Sequence, residues 1–176
     1  MLNMKNMWIA ILMMIGVYSC GNGNGGTKEE VAAVAATAEP AMALPSFMVM
    51  DSEGKQINLQ DLKGKKVFVN LWASWCPPCR AEMPSIQKLY EKTQGSNVAF
   101  VMLALDNDFN KSLQYMSGKG LILPAYYPAG PLPELFNVPG IPATFIFNEK
   151  GQLVRKIEGS DNYNTDEFVK LLTKGV

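Results

Sequence analysis

Two cysteines, Cys76 and Cys79, enclose two prolines, Pro77 and Pro78, and a glutamate, Glu82, follows three residues later. Thiols at this spacing can bond to each other, because the first turn of a helix brings residues three apart within the roughly 4.4–6.8 Å Cα separation a disulfide needs. The apolar run Val67 to Trp72 reads as a strand buried on both faces, and Cys76 to about Thr93 reads as a helix. Cys76 therefore stands where a strand hands over to a helix. The unpaired N–H groups of a helix start favour a thiolate over a thiol and lower its pKa from about 8.5 to about 7 or below. Cys79, one turn inside, is expected to be more buried and less reactive. The division of labour that follows is Cys76 as nucleophile and Cys79 as resolving thiol. Pro77 costs no helical hydrogen bond in the first turn, and two consecutive prolines reduce the freedom lost when the sulfurs are held together.

Two blander readings of the pair stay open on spacing alone: an inert structural disulfide, and half of a zinc site. Zinc takes four ligands, and the chain has no histidine and only one further cysteine, Cys20, so zinc would need carboxylates or a second copy. The lack of histidine also excludes Cys–His and Ser–His–Asp catalysis within this chain. Any proton-transfer group must be a carboxylate, thiol, tyrosine, lysine or water. The charge is balanced, with 16 basic and 16 acidic residues, which argues against a broad nucleic-acid surface.

Cys20 closes a different kind of segment. Residues 1–19 carry Lys5 and then an apolar run of 12 residues, Met7 to Tyr18. A membrane-spanning helix needs about 20; the shorter run has the length of a secretory signal. Val17-Tyr18-Ser19-Cys20 resembles a bacterial lipobox, apart from the large Tyr18, and implies cleavage before Cys20 and lipidation of its thiol. An ordinary signal peptide or an uncleaved anchor is the alternative. Residues 20–44, rich in glycine, asparagine and alanine, have too little apolar surface to offset their ordering entropy and read as a flexible tether. The domain is expected over residues 45–176. The expected location is the cell envelope, on the periplasmic side, membrane-anchored through Cys20.

Within the domain, Phe47 to Leu59 reads as a hairpin turning at Gly54. Residues 97–106 read as a second buried strand, 109–118 as a helix, and 143–157 as a hairpin turning over Asn148 to Gly151. A last helix is expected with Asn164 as N-cap and Glu167 at N3, ending near Gly175. The order β-β-β-α-β-α-β-β-α implies an α/β fold: a mixed sheet flanked by helices, with a right-handed parallel crossover and antiparallel edges.

The stretches VFVNLWASWCPPCRAEMP and VPGIPATFIFNEKGQLV resemble the thioredoxin superfamily, and within it the TlpA/ResA-like membrane-tethered bacterial thiol–disulfide oxidoreductases. The resemblance runs from about Pro45 to the C-terminus. It implies a thioredoxin-like mixed sheet with an N-terminal hairpin and a central insert, a redox-active Cys76–Cys79 pair, and no cofactor. It implies that Pro142 is a cis-proline facing the pair, that the Ile141 backbone receives a docked substrate segment, and that Pro84 kinks the active-site helix. Thioredoxins keep a buried aspartate six residues before the first cysteine; here that position is Asn70. The family places a glutamate at the position of Glu82, so Glu82 becomes the expected proton-transfer group for Cys79. Trp75 is expected to form an apolar collar for partners, and Trp72 to be core. The excess length between Cys79 and Pro142 falls around residues 106–137, where Tyr126 and Tyr127 suit either a partner surface or a packed loop.

The activity implied is exchange with protein dithiols and disulfides, usually in the reducing direction, often in cytochrome c maturation, and fed by a membrane or periplasmic electron donor. One alternative is a thiol peroxidase of the peroxiredoxin branch, although Ala73 stands where that branch needs threonine. Another is a non-enzymatic thioredoxin-like binding module.

Overall fold

The computed structural model describes residues 42–174, and Cys20, the signal segment and most of the tether lie outside them. Seven strands form one sheet: β1 (Met48–Asp51), β2 (Gln56–Asn58), β3 (Lys66–Trp72), β4 (Val98–Ala104), β5 (Ala125–Pro128), β6 (Ala143–Phe147) and β7 (Leu153–Glu158). Three α-helices accompany them among the described residues: α1 (Pro77–Lys92), α2 (Phe109–Gly118) and α3 (Asp166–Thr173). The strand order is β2-β1-β5-β4-β3-β6-β7. β3 and β4 run parallel and are joined through α1, while β6 and β7 continue the sheet antiparallel.

β3 is central and entirely buried. Its side chains alternate between two cores, as strand geometry requires. Phe68 and Trp72 point into the layer that holds Met83, Ile86 and Leu89 of α1 with Met116 of α2 and Phe168 and Leu172 of α3. Val67, Val69 and Leu71 point the other way, towards Leu44, Phe47, Phe136, Phe145 and Phe147. Asn70 falls on the helix-facing side, at the centre of the strand. At the start of β3, the buried Lys66 extends its ammonium to the carbonyls of Leu171 and Lys174, two of the unpaired acceptors at the end of α3.

Both expected hairpins form, with Gly54 at φ 82° and Gly151 at φ 77°, a region only glycine enters without strain. Two expectations need correction. The insert contains a strand absent from the expected order: β5 pairs antiparallel with β1 and parallel with β4, so it attaches the first hairpin to the central sheet. Tyr126 and Tyr127 are thus ladder residues. The prolines at 124 and 128, which cannot donate to a ladder, disguised so short a strand. The cap of α3 is Thr165, whose hydroxyl accepts from Phe168 N–H at 3.4 Å, and Asn164 lies one residue outside. Glu167 is therefore at the second helical position, where its charge still favours the helix start.

Candidate active site

Cys76 is the N-cap of α1. Its backbone is extended, at φ −89° and ψ 108°, and its sulfur accepts the Cys79 N–H at 3.3 Å. Pro77 and Pro78 fill the first two helical positions, whose missing N–H groups would have had no partner inside the helix. The two sulfurs are bonded, with the Cα atoms 5.3 Å apart. Both cysteines are almost sealed, Cys76 at 3% and Cys79 at 0% exposure, so the contrast in depth expected from the sequence is slight. Their inequality lies in the hydrogen bonding. Only Cys76 has its sulfur at the cap, where a negative charge meets the positive end of the helix.

The chain entering the cap is tied down by Asp106, just past the end of β4. This buried carboxylate accepts from Ser74 N–H at 2.9 Å, from the Ser74 hydroxyl at 2.6 Å and from the Ser112 hydroxyl on α2 at 2.5 Å. The anchor leaves Trp75 projecting, 64% exposed, beside the dithiol. Trp72 is wholly buried, as expected of a core residue. Arg80, on the outer side of α1, lies over the ring of Tyr115 at 5.3 Å from its centroid.

Ile141 and Pro142 arrive from the turn before β6. Their peptide bond is cis, as the sequence resemblance implies, and Pro142 is buried while Ile141 is half-exposed. The Ile141 carbonyl oxygen lies 3.7 Å from the Cys76 sulfur, placing it to accept an S–H once the disulfide is reduced. Cys76 and the Ile141 carbonyl therefore border one site, with Trp75 and Pro142 as their neighbours along the chain.

Glu82 shares the Cys79 face of α1, one turn further along. Despite its charge it is only 2% exposed. Its Oε1 accepts from the Asn70 amide at 2.8 Å, and its Oε2 accepts from Asp161 N–H at 3.3 Å. Among the described residues no cation offsets the burial, so loss of water dominates: Glu82 is pushed up to about 7, against the lowering effect of its two hydrogen bonds, with the nearby Asp161 charge adding to the rise. A carboxyl poised there can gain or lose a proton at neutral pH. Pro84 lies within α1 two residues later, a position where its ring removes one helical hydrogen bond.

Several residues around the site escaped the sequence reading. Asp106, Ser74 and Ser112 come from three separate segments, and nothing in their spacing announces that they meet. Asp161, which touches Glu82 through its backbone, left no side-chain signal at all. Thr144 also went unread: it sits two residues after Pro142, but its pairing opposite Asn70 across β3 and β6 is seen only in the structure.

Residues 39–172 match the redoxin family model, over half of the chain. Among proteins of known identity, the thiol-disulfide oxidoreductase ResA of Bacillus anthracis is 36% identical over 131 residues, covering 73% of this chain and 76% of that protein. ResA of Bacillus subtilis is 31% identical over 117 residues, covering 66% and 65%. Among solved structures, a thiol:disulfide interchange protein of the thioredoxin family from Chlorobium tepidum superposes with a TM-score of 0.65 at 31% identity, over 75% of this chain and 96% of that one. StoA from Bacillus subtilis superposes with a TM-score of 0.59 at 27% identity, over 70% and 94%.

Proposed function

The chain belongs to the redoxin family, among the ResA-like thiol–disulfide oxidoreductases, and from that premise we propose that it reduces disulfides of partner proteins outside the cytoplasm. The observation that carries this reading is the Cys76–Cys79 bond set at the start of α1, with its outer sulfur at the helix cap.

In the forward direction the reduced Cys76 thiolate attacks one sulfur of a partner disulfide. The partner's S–S bond breaks, its other sulfur leaves as a thiolate and takes a proton from solvent, and a mixed disulfide joins the partner to Cys76. Glu82, ionised, then accepts the Cys79 proton. The Cys79 thiolate attacks the Cys76 sulfur, the mixed disulfide breaks, and the partner's second sulfur leaves as a thiolate that takes a proton from solvent. Two electrons have passed to the partner, and Cys76–Cys79 is oxidised. An external dithiol donor, in the membrane or periplasm, restores the reduced pair by the same exchange in reverse. Trp75 and the Ile141–Pro142 turn supply the surface on which the partner's chain rests, and the process we propose it serves is cytochrome c maturation.

The address is inferred from the N-terminal sequence. The 12-residue apolar run and the lipobox-like Val17-Tyr18-Ser19-Cys20 support export and acylation of Cys20, with the following segment as a tether to the membrane surface. Mass spectrometry of the mature N-terminus checks this: acylated Cys20 supports it, and an unmodified thiol contradicts it.

Insulin reduction by dithiothreitol tests the activity. The wild type is expected to accelerate insulin precipitation and Cys76→Ser to lose that acceleration. Equal rates for the two would contradict the oxidoreductase reading, and rapid hydroperoxide consumption would favour a peroxidase.

A further inference from the structure

The Asn70 amide is held in an unusual way. It is completely buried, and its oxygen has no hydrogen-bond donor among the described residues. Its orientation therefore depends on its two N–H groups. One donates to Glu82 Oε1 at 2.8 Å, and the other donates to the Thr144 hydroxyl at 2.9 Å. Thr144 is itself fully buried on β6, directly opposite Asn70 in the ladder, and its hydroxyl lies 2.7 Å from the Tyr163 hydroxyl. Tyr163 is also fully buried, and its N–H donates to Ser85 Oγ, whose own hydroxyl donates to the Glu82 carbonyl. The chain Tyr163–Thr144–Asn70–Glu82 thus ties three separate segments to one carboxyl.

We propose that Thr144, braced by Tyr163, is a positioning residue for Glu82, clamping the Asn70 amide so that its other N–H stays aimed at the carboxylate. The inference rests on the reading of Glu82 as the proton-transfer group. An amide bound only to Glu82 could rotate away whenever the carboxyl is protonated, because a neutral carboxyl is a weaker acceptor than a carboxylate. Thr144 gives the amide an attachment that does not change with the Glu82 proton. A hydroxyl suits this place because it accepts from Asn70 and still has a hydrogen or lone pair for Tyr163. The charged or titratable groups facing Glu82 are Asp161, whose charge works against ionisation, Tyr163, and the Cys79 thiol in the reduced protein. None of these replaces the amide donor.

The test is a ¹³C titration of the Glu82 side-chain carboxyl in the oxidised protein, where the cysteines do not titrate. Thr144→Val keeps the shape and removes the hydroxyl; Thr144→Ser restores it. Thr144→Val is expected to weaken the Glu82 acid about threefold or more, raising its midpoint by about half a pH unit. Tyr163→Phe should move it the same way by less, and serves as the second variant if Thr144→Val folds poorly. Thr144→Ser should titrate like the wild type. A midpoint unmoved by both hydroxyl deletions overturns the inference, as does a serine variant that shifts as far as valine. The exchange–pH profile of Glu82→Gln separates the two readings. A profile identical to wild type removes the role of Glu82 and this inference with it, whereas an unmoved midpoint removes this inference alone.

Discussion

The backbone N–H of Cys79 points at the sulfur of Cys76 across 3.3 Å, so the second cysteine's own peptide caps the first. The two thiols are nearly equal in burial, and it is this bond that makes them chemically unequal. A thiolate at Cys76 gains a donor and the helix-start field, and Cys79 sits beyond the cap.

Cys76 is accordingly expected to ionise below the ordinary thiol pKa of about 8.5. Thiolate absorbance of the reduced Cys79→Ser variant should show this, and Cys76→Ser should titrate higher. A Cys76 thiol that titrates at or above the ordinary value would mean that the cap does not activate it.

Glu82 is expected to leave its mark on the rate. With its carboxyl pushed up to about 7 by burial, wild-type exchange should rise as pH climbs through that region and the base form accumulates. Glu82→Gln should lose that inflection and exchange more slowly, by roughly 10²-fold if the proton transfer is general-base. A slower enzyme with the same inflection would make Glu82 structural.

The same carboxyl predicts a stability trend in the oxidised protein. The folded chain holds the Glu82 proton more tightly than the unfolded chain does, so the favourable contribution is full below the ordinary carboxylate range. It shrinks as pH rises and is gone once pH has passed about 7. Glu82→Gln carries no such proton. Its stability relative to wild type should grow by about 3 kcal/mol between about pH 4 and about pH 8. Urea unfolding at the two pH values checks this, and a constant difference would contradict it.

Asp106 anchors the approach to the dithiol through Ser74. Asp106→Ala removes the acceptor for three donors and should cost about 1–3 kcal/mol of stability. It should also slow exchange even where the protein remains folded, because Trp75 and Cys76 lose their fixed lead. Normal exchange in a destabilised variant would show that the anchor serves the fold alone.

What could be read from the chain was whatever is local. The Cys-Pro-Pro-Cys turn announces a helix start by the rules that place proline in the first turn. β3 announces itself by an apolar run interrupted only at Asn70, and the hairpins by Gly54 and Gly151. Asn70 stood out through the resemblance, at the position where thioredoxins keep a buried aspartate. What it bonds to was not legible: Glu82 entered only as the proton-transfer group for Cys79 that the resemblance implies, and Tyr163 lies 93 positions away from Asn70 and meets it only through Thr144. β5 was missed because four residues bounded by prolines carry almost no periodicity, and its pairing with β1 and β4 overrides that weak local preference. The α3 cap was misplaced by one residue because Asn164 and Thr165 are both good capping residues, and only the geometry chooses between them.

The order of attack at Cys76 and Cys79 is open to a direct test. Each single serine variant, reduced and mixed with a disulfide-bonded peptide, can be analysed by mass spectrometry for a trapped adduct. Cys79→Ser should accumulate a mixed disulfide through Cys76, with no second thiol to release it, and Cys76→Ser should form little or none. An adduct that builds up equally fast on Cys79 in the Cys76→Ser protein would contradict the assignment of Cys76 as the attacking thiol.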